Sequence, residues 1–300
     1  MKILITGGGG LLGAALVRSM PTNFEVGATF RSALPTQPTD HFDPYQLDIC
    51  DRDTLMDIVH RVHPDWIIHT ASIGNVDYCE QHQDESWQVN VVGTQHVIEA
   101  CTSCHIRLIY TSSNAVFDGD HAPYSEEDPP NPKHHYGKTK LASERLIQES
   151  GLDATIIRPM MMYGWNTPPQ RSNPVTWMLG ELSQHKALRL FDDVYGNPLL
   201  VSQCADAIWT CVRDQHSGLF HIAGKDHVSV YELGQAVARV FEYDESLLQP
   251  VSRDALPQLV HRPTDTTYQT DKMETVLGLM PLSLLEGLQQ MKEAARAQRT

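Results

Sequence analysis

Tyr136 and Lys140 stand four residues apart in the run Tyr136-Gly137-Lys138-Thr139-Lys140. If that run is helical, the two side chains lie one turn apart on one face. A free phenol has a pKa near about 10 and is a sluggish acid or base at neutral pH. A cation held one turn away stabilises the phenolate and draws that pKa down. The same ammonium can also hydrogen-bond a nicotinamide ribose. Tyr and Lys at this spacing are common by chance, so the pair needs company. Upstream, Thr111-Ser112-Ser113 closes an apolar run that reads as a strand. In an α/β protein such a strand end opens on the ligand crevice.

The company is at the start of the chain. In Thr6-Gly7-Gly8-Gly9-Gly10-Leu11-Leu12-Gly13, residues Gly7, Gly10 and Gly13 fit G-x-x-G-x-x-G. The run falls between an apolar strand, Lys2 to Thr6, and an amphipathic helix from Leu11 to Ser19. Glycines at such a bend permit a tight turn and bring backbone N–H groups to a pyrophosphate at the positive end of a helix. A merely flexible turn is the bland alternative, and its position after a first strand argues for dinucleotide binding. The second strand, Phe24 to Phe30, ends in Arg31-Ser32. NAD-selective sites usually carry an acid there for the adenine ribose. A guanidinium and a hydroxyl suit a 2′-phosphate instead, so NADP(H) is favoured and NAD(H) is the second choice. Asp48, with Ile49 beside it, follows a third strand (45–49). It either accepts from the adenine amino group or caps a turn.

These residues need a scaffold, and the first 150 positions supply its rhythm. Apolar runs at Trp66 to Ala71, Arg107 to Ser112 and Ala154 to Arg158 alternate with amphipathic stretches at 54–62, 85–101 and 135–149. That alternation predicts βα units on a parallel sheet. Asp53 is the expected cap of the 54–62 helix, and Pro35, Pro38 and Pro44 punctuate a loop. After Pro159 the rhythm changes, with an irregular loop over 160–175 and helices at 175–184, 204–213 and 231–241. Short strands are expected at 188–191, 199–201 and 218–223, with a solvated helix at the end. The expected fold is α/β: a Rossmann-type doubly wound parallel sheet with a small C-terminal α/β substrate lobe. Residues 1–158 form the NAD(P)-binding domain and 159–300 mainly the lobe.

Composition narrows the partners. The formal charge is −14, against the basic footprint that nucleic acid requires. No apolar run approaches the length of a membrane span, and the N-terminal apolar run is too short for an export signal. Cytoplasmic localisation and reduced thiols are expected for the six cysteines. Cys101-x-x-Cys104 is one ligand pair without a second, so no metal is expected.

The glycine pattern, the set Ser113, Tyr136 and Lys140, and Asn90 within Val89-Asn90-Val91-Val92-Gly93-Thr94 resemble the extended short-chain dehydrogenase/reductase family over nearly the whole chain. Within it, Ser72 to Glu80, Ala115-Val116-Phe117-Asp118-Gly119, Gly196-Asn197-Pro198 and Arg262-Pro263 resemble the dTDP-4-dehydrorhamnose reductase branch, which includes the methionine adenosyltransferase regulatory β subunit. The resemblance implies that Ser113 hydrogen-bonds a substrate carbonyl and Tyr136 protonates the alkoxide. It implies that Lys140 tunes Tyr136 and Asn90 anchors a relay water. Ala71 and Ser72 would line the adenosine, Arg158, Pro159 and Met160 the nicotinamide, and Asn75, Asn114, Tyr163 and Asn173 the substrate. The chain would return to the first domain around 186–225, and a homodimer is compatible. The implied substrate is a nucleotide-activated keto sugar. The alternatives are a cofactor-binding regulatory subunit that docks on a methionine adenosyltransferase, or a nucleotide-sugar epimerase. Asn114-Ala115 departs from the branch, which has Asp-Tyr there. It also excludes 4,6-dehydratase chemistry, which needs an Asp-Glu pair.

Overall fold

The computed structural model describes residues 1–32, 34–35, 41–166, 170–256 and 258–297; Pro38 of the expected loop lies outside them. Seven parallel strands form the central sheet: β1 (Lys2–Thr6), β2 (Glu25–Phe30), β3 (Asp43–Gln46), β4 (Trp66–His69), β5 (Arg107–Thr111), β6 (Ala154–Pro159) and β7 (Gly218–Ile222). Their order is β7-β6-β5-β4-β1-β2-β3. Both faces are covered, so the central strands β1, β4, β5 and β6 are runs rich in branched apolar residues rather than alternating ones. Ile3, Ile5, Ile68, Ile109 and Ile157 face one cluster with α1 (Leu11–Arg18) and α8 (Val201–Asp214). Leu4, Ile67, Leu108, Tyr110 and Ile156 face the other, with α2 (Arg52–Val62), α5 (Gly93–Cys104) and α6 (His135–Ser150).

The sheet is wound outward in both directions from β1, which lies between β2 and β4. The two halves diverge there, opening a crevice at the carboxyl ends of the strands. A third apolar cluster, with Val175, Met178, Leu182, Leu190, Leu233 and Leu288, holds α7 (Pro174–Leu182), α9 (Val230–Phe241) and α10 (Leu284–Ala297) together beside that crevice.

Several elements differ from the sequence reading. Asp51, not Asp53, caps α2, because its carboxylate reaches the Thr54 N–H at 3.0 Å. The third strand sits two residues earlier than expected, since Leu47 and Ile49 turn into the core after β3 ends. The stretch after β4 holds a short helix, α3 (Val76–Gln81), capped by Asn75. The 85–101 helix is three pieces: α4 (Gln83–Trp87), a π-helical turn (Gln88–Val92) and α5. The last helix is not fully solvated; Leu284, Leu288 and Met291 are buried.

Helical glycine normally costs stability relative to alanine, yet Gly13 in α1 is a place where alanine must lose. A Cβ there would lie 2.2 Å from the Gly7 carbonyl oxygen. Gly13→Ala is expected to destabilise the fold by about 1–3 kcal/mol through overpacking, read from the urea midpoint. A gain in stability would mean that α1 does not press on the bend.

Candidate active site

The bend after β1 is shaped by steric necessity. Gly7 has φ +78°, and a Cβ on it would meet the Ala71 backbone at 2.8 Å. Gly8 N–H donates to the Thr29 carbonyl at 2.8 Å and Gly10 N–H to the Gly7 carbonyl at 2.9 Å. The next residues, Leu11 and Leu12, open α1, which has neither a side-chain cap nor an acid in its first turn. Thr6 binds the bend to β4: its hydroxyl is 2.7 Å from His69 Nδ1 and accepts from Ala71 N–H at 3.4 Å. Positive helix end, missing Cβ atoms and absent carboxylate together fit a dinucleotide pyrophosphate.

Farther along the crevice, Arg31 and Ser32 lie exposed just past β2. The Glu85 hydrogen bond raises the Tyr78 phenol and burial raises the Cys50 thiol to about 11, and Arg31 is near enough to oppose both shifts. Asp48 caps a turn, accepting from Cys50 N–H at 3.0 Å. Ile49 is buried against Gly93, where a Cβ would clash at 2.7 Å. Ser72 is exposed beside the half-buried Ala71.

Ser113, Tyr136 and Lys140 sit where α6 meets the end of β5. His134 caps α6, accepting from Gly137 N–H at 3.2 Å. Gly137 lets the helix lie directly on the 114–116 turn, because a Cβ would fall 2.0 Å from the Ala115 carbonyl oxygen. That contact sets Tyr136 beside Ser113. The Ser113 hydroxyl accepts from Ala115 N–H at 3.2 Å and donates to Asn114 Oδ1 at 3.3 Å. Lys140 is 3% exposed, with Nζ donating to the Thr111 carbonyl at 2.9 Å. Its ammonium is 5.0 Å from the Tyr110 ring centroid and 5.9 Å from that of Tyr136.

The electrostatics correct one expectation. Burial pushes the Tyr136 phenol up to about 12, against a downward pull from the Ser113 hydroxyl; Cys79 adds to the rise and Arg171 opposes it. Lys140 does not bring this phenol below its ordinary value. Burial drives the Lys140 ammonium itself down to about 8, with Cys79 and Glu144 holding it up. The site is a protonated phenol beside an easily discharged amine.

The other expected residues have definite places. Asn90, 1% exposed, lies in the π-helical turn; its side chain accepts from Ile73 N–H at 2.7 Å and donates to the Ile73 carbonyl at 3.1 Å and the Thr139 hydroxyl at 3.2 Å. Its carbonyl accepts from Thr94 and Ser143 hydroxyls at 2.6 and 2.8 Å. Asn90 therefore ties the loop after β4 to α6. Pro159 and Met160 are buried at the end of β6. Asn114 donates to Thr266 Oγ1 at 2.8 Å. Three residues expected at the substrate have structural partners. Asn75 caps α3, and Asn173 caps α7 while donating to the Gly164 carbonyl at 2.7 Å. Tyr163 is 2% exposed in the lobe core, its hydroxyl pressed on Gly287. Sequence reasoning missed Arg171, Cys79 and the buried Glu144. Glu144 had a signal: it follows Lys140 by one turn on the same face.

The Lys140 burial has a measurable consequence. At pH 7 folded and unfolded chains both carry the ammonium, so the folded state bears the full desolvation cost. Between about 8 and the ordinary 10.5 the folded protein sheds its proton first. The unfolded chain then binds more protons, and stability rises with pH. Relative to Lys140→Met, the wild type should gain on the order of 3 kcal/mol from pH 7 to 10.5, measured by urea unfolding. A constant difference would show the amine is not desolvated.

The family model for the RmlD substrate binding domain matches residues 1–297. Methionine adenosyltransferase 2 subunit beta of Bos taurus is 30% identical over 285 residues, covering 92% of this chain and 82% of that protein. A spore coat polysaccharide biosynthesis protein of Bacillus subtilis is 28% identical over 255 residues, 84% of each chain. Among solved structures, a dTDP-4-dehydrorhamnose reductase of Clostridium acetobutylicum superposes with a TM-score of 0.87 at 25% identity, over 99% of this chain and 100% of the other. A Bacillus anthracis dTDP-4-dehydrorhamnose reductase in complex with NADP gives a TM-score of 0.84 at 24% identity, over 98% and 99%, and shares the fold. With the glycine bend and the Ser113, Tyr136, Lys140 cluster, these likenesses have one meaning: the chain belongs to the dTDP-4-dehydrorhamnose reductase (RmlD) branch of the extended short-chain dehydrogenase/reductase oxidoreductases.

Proposed function

We propose that this protein is a cytoplasmic, NADPH-dependent reductase of a keto group on a nucleotide-activated sugar. One juxtaposition carries the reading: the Tyr136 phenol, Ser113 hydroxyl and Lys140 ammonium beside a bend that suits a pyrophosphate. Bound along that bend, a nicotinamide dinucleotide supplies the hydride. Ser113 donates to the substrate carbonyl oxygen and fixes it. Tyr136 gives its proton to that oxygen as negative charge develops. With its pKa raised to about 12, the phenol stays protonated through the neutral range, which suits reduction and makes the reverse reaction slow. Lys140, charged below about 8, stabilises the phenolate left behind. Asn90 holds the loop after β4 and the helix of Tyr136 in register. Arg31 and Ser32 receive the 2′-phosphate.

With dTDP-4-dehydrorhamnose or a related 4-keto sugar nucleotide, Tyr136→Phe should lower kcat about 10²- to 10⁴-fold and leave the NADPH dissociation constant within about threefold. The wild-type rate should be flat up to about pH 8 and fall above it, as Lys140 discharges. A rate that climbs through pH 8 would mean that a phenolate base is at work. NADPH oxidation with none of these substrates would remove the reductase reading.

Cofactor choice has its own test. NADPH should raise the melting temperature more than NADH, because the tighter ligand stabilises the folded state more at equal concentration. Arg31→Ala should erase that difference by weakening NADPH about tenfold, the loss of one charge-assisted contact of about 1.4 kcal/mol. A larger shift with NADH in the wild type would reassign Arg31 to the solvent.

A second reading rests on the 30% identity to methionine adenosyltransferase 2 subunit beta. In it the same site binds cofactor with little turnover, and the protein regulates a methionine adenosyltransferase. Co-sedimentation with a catalytic methionine adenosyltransferase subunit supports it; failure to associate at micromolar concentration removes it.

A further inference from the structure

Behind the reacting centre lies a polar cluster with no part in the steps above. Glu144 is 1% exposed on α6, one turn beyond Lys140. Arg158, at the end of β6, meets it as a fork: Nε donates to Oε1 at 2.9 Å and an Nη to Oε2 at 2.6 Å. The Ser112 hydroxyl donates to the same carboxylate. The other Arg158 Nη lies 3.3 Å from His221 Nε2 on β7, and His221 Nδ1 lies 3.3 Å from the Tyr124 carbonyl. A neutral imidazole satisfies both ends, accepting from Arg158 and donating to Tyr124. His221 is stacked on Tyr268 at 3.9 Å.

Stability does not explain this arrangement. The desolvation cost of a buried ion pair offsets much of its attraction, and apolar residues of similar volume often serve as well. The placement is more telling. Glu144 sits one turn from Lys140, Ser112 is next to Ser113, and Arg158 is next to Pro159. The cluster thus touches α6 and the ends of β5, β6 and β7. A two-pronged fork fixes distance and angle together, as apolar contacts do not.

We propose that the Glu144–Arg158 pair, with Ser112, is a positioning device that holds the helix of Tyr136 and Lys140 at a set distance from the strand ends carrying Ser113 and Pro159-Met160. Its consequence is the placement of the substrate carbonyl against the nicotinamide; in this it rests on the reductase reading above. A displacement near 1 Å at such a centre costs rate far more than affinity.

Two variants test it. Ser112→Ala cuts the tie between the pair and β5 without touching a charge. Glu144→Leu/Arg158→Met removes both charges together, so neither is left unpaired. Each is assayed for melting temperature, NADPH dissociation constant, fluorescence of the bound reduced nicotinamide, and kcat. Both should melt within a few degrees of wild type and bind NADPH within about threefold, while kcat falls about 10-fold or more. The bound nicotinamide emission should move toward that of free NADPH. Wild-type kcat and emission in both variants would overturn the inference, leaving the pair as packing. If the double variant does not fold, Ser112→Ala decides. If the wild type reduces no keto sugar yet binds NADPH, the reductase reading fails alone, and the emission decides the positioning role. If the wild type binds no NADPH, both fall.

Discussion

An ammonium that is 3% exposed must be solvated by the protein around it. For Lys140 that environment is one carbonyl, from Thr111 at 2.9 Å, and the face of Tyr110. The carboxylate one turn away helps only through its field, because the hydrogen bonds of Glu144 go to Arg158 and Ser112. His69 does not compete for charge either, since burial first and then Lys140 push it down to about 3. The amine is therefore charged but poorly compensated. An under-compensated cation in a dry site is worth most to an anion that forms beside it during reaction, and Tyr136 is the group that can become one.

This constraint explains much of the surrounding design. The helix carrying Lys140 has to seat closely, and Gly137 gives it contact with the Ala115 carbonyl. The helix also has to be held in register, and Asn90 reaches Thr139 for that purpose from an under-wound π-turn. A regular α-helix over 83–104 would turn the residues after the π-turn by a different angle. The irregularity is the means by which both the Asn90 side chain and its carbonyl reach α6.

The sheet and the glycine bend were legible because each rests on local chemistry. Strands buried on both faces must be apolar throughout, and a backbone at φ +78° against Ala71 must be glycine. The Tyr136–Lys140 face was legible for the same reason. Its electrostatics were not, because a spacing of four says nothing about burial, and burial outweighed the charge. The Glu144–Arg158–His221 cluster was also hidden. Its members are 14 and 63 residues apart and meet only through the sheet. The capping roles of Asn75 and Asn173 were hidden too, because a side chain that caps a helix looks, in sequence, like one free to bind a ligand.

Substrate choice is a separate matter from the chemistry of the centre. Asn114 donates to Thr266 of the C-terminal segment. That segment is fastened again by Arg262 to Asp77 of α3 at 2.6 Å, and by Asn197 to the Tyr268 carbonyl at 3.1 Å. The lobe therefore closes over the crevice through contacts made by 260–268, none of which touches Tyr136 or Lys140 through a hydrogen bond among the described residues. A change of sugar, or loss of substrate in favour of a protein partner, could be written into that segment while the phenol and amine stay as they are. The reductase and regulatory readings thus share one centre.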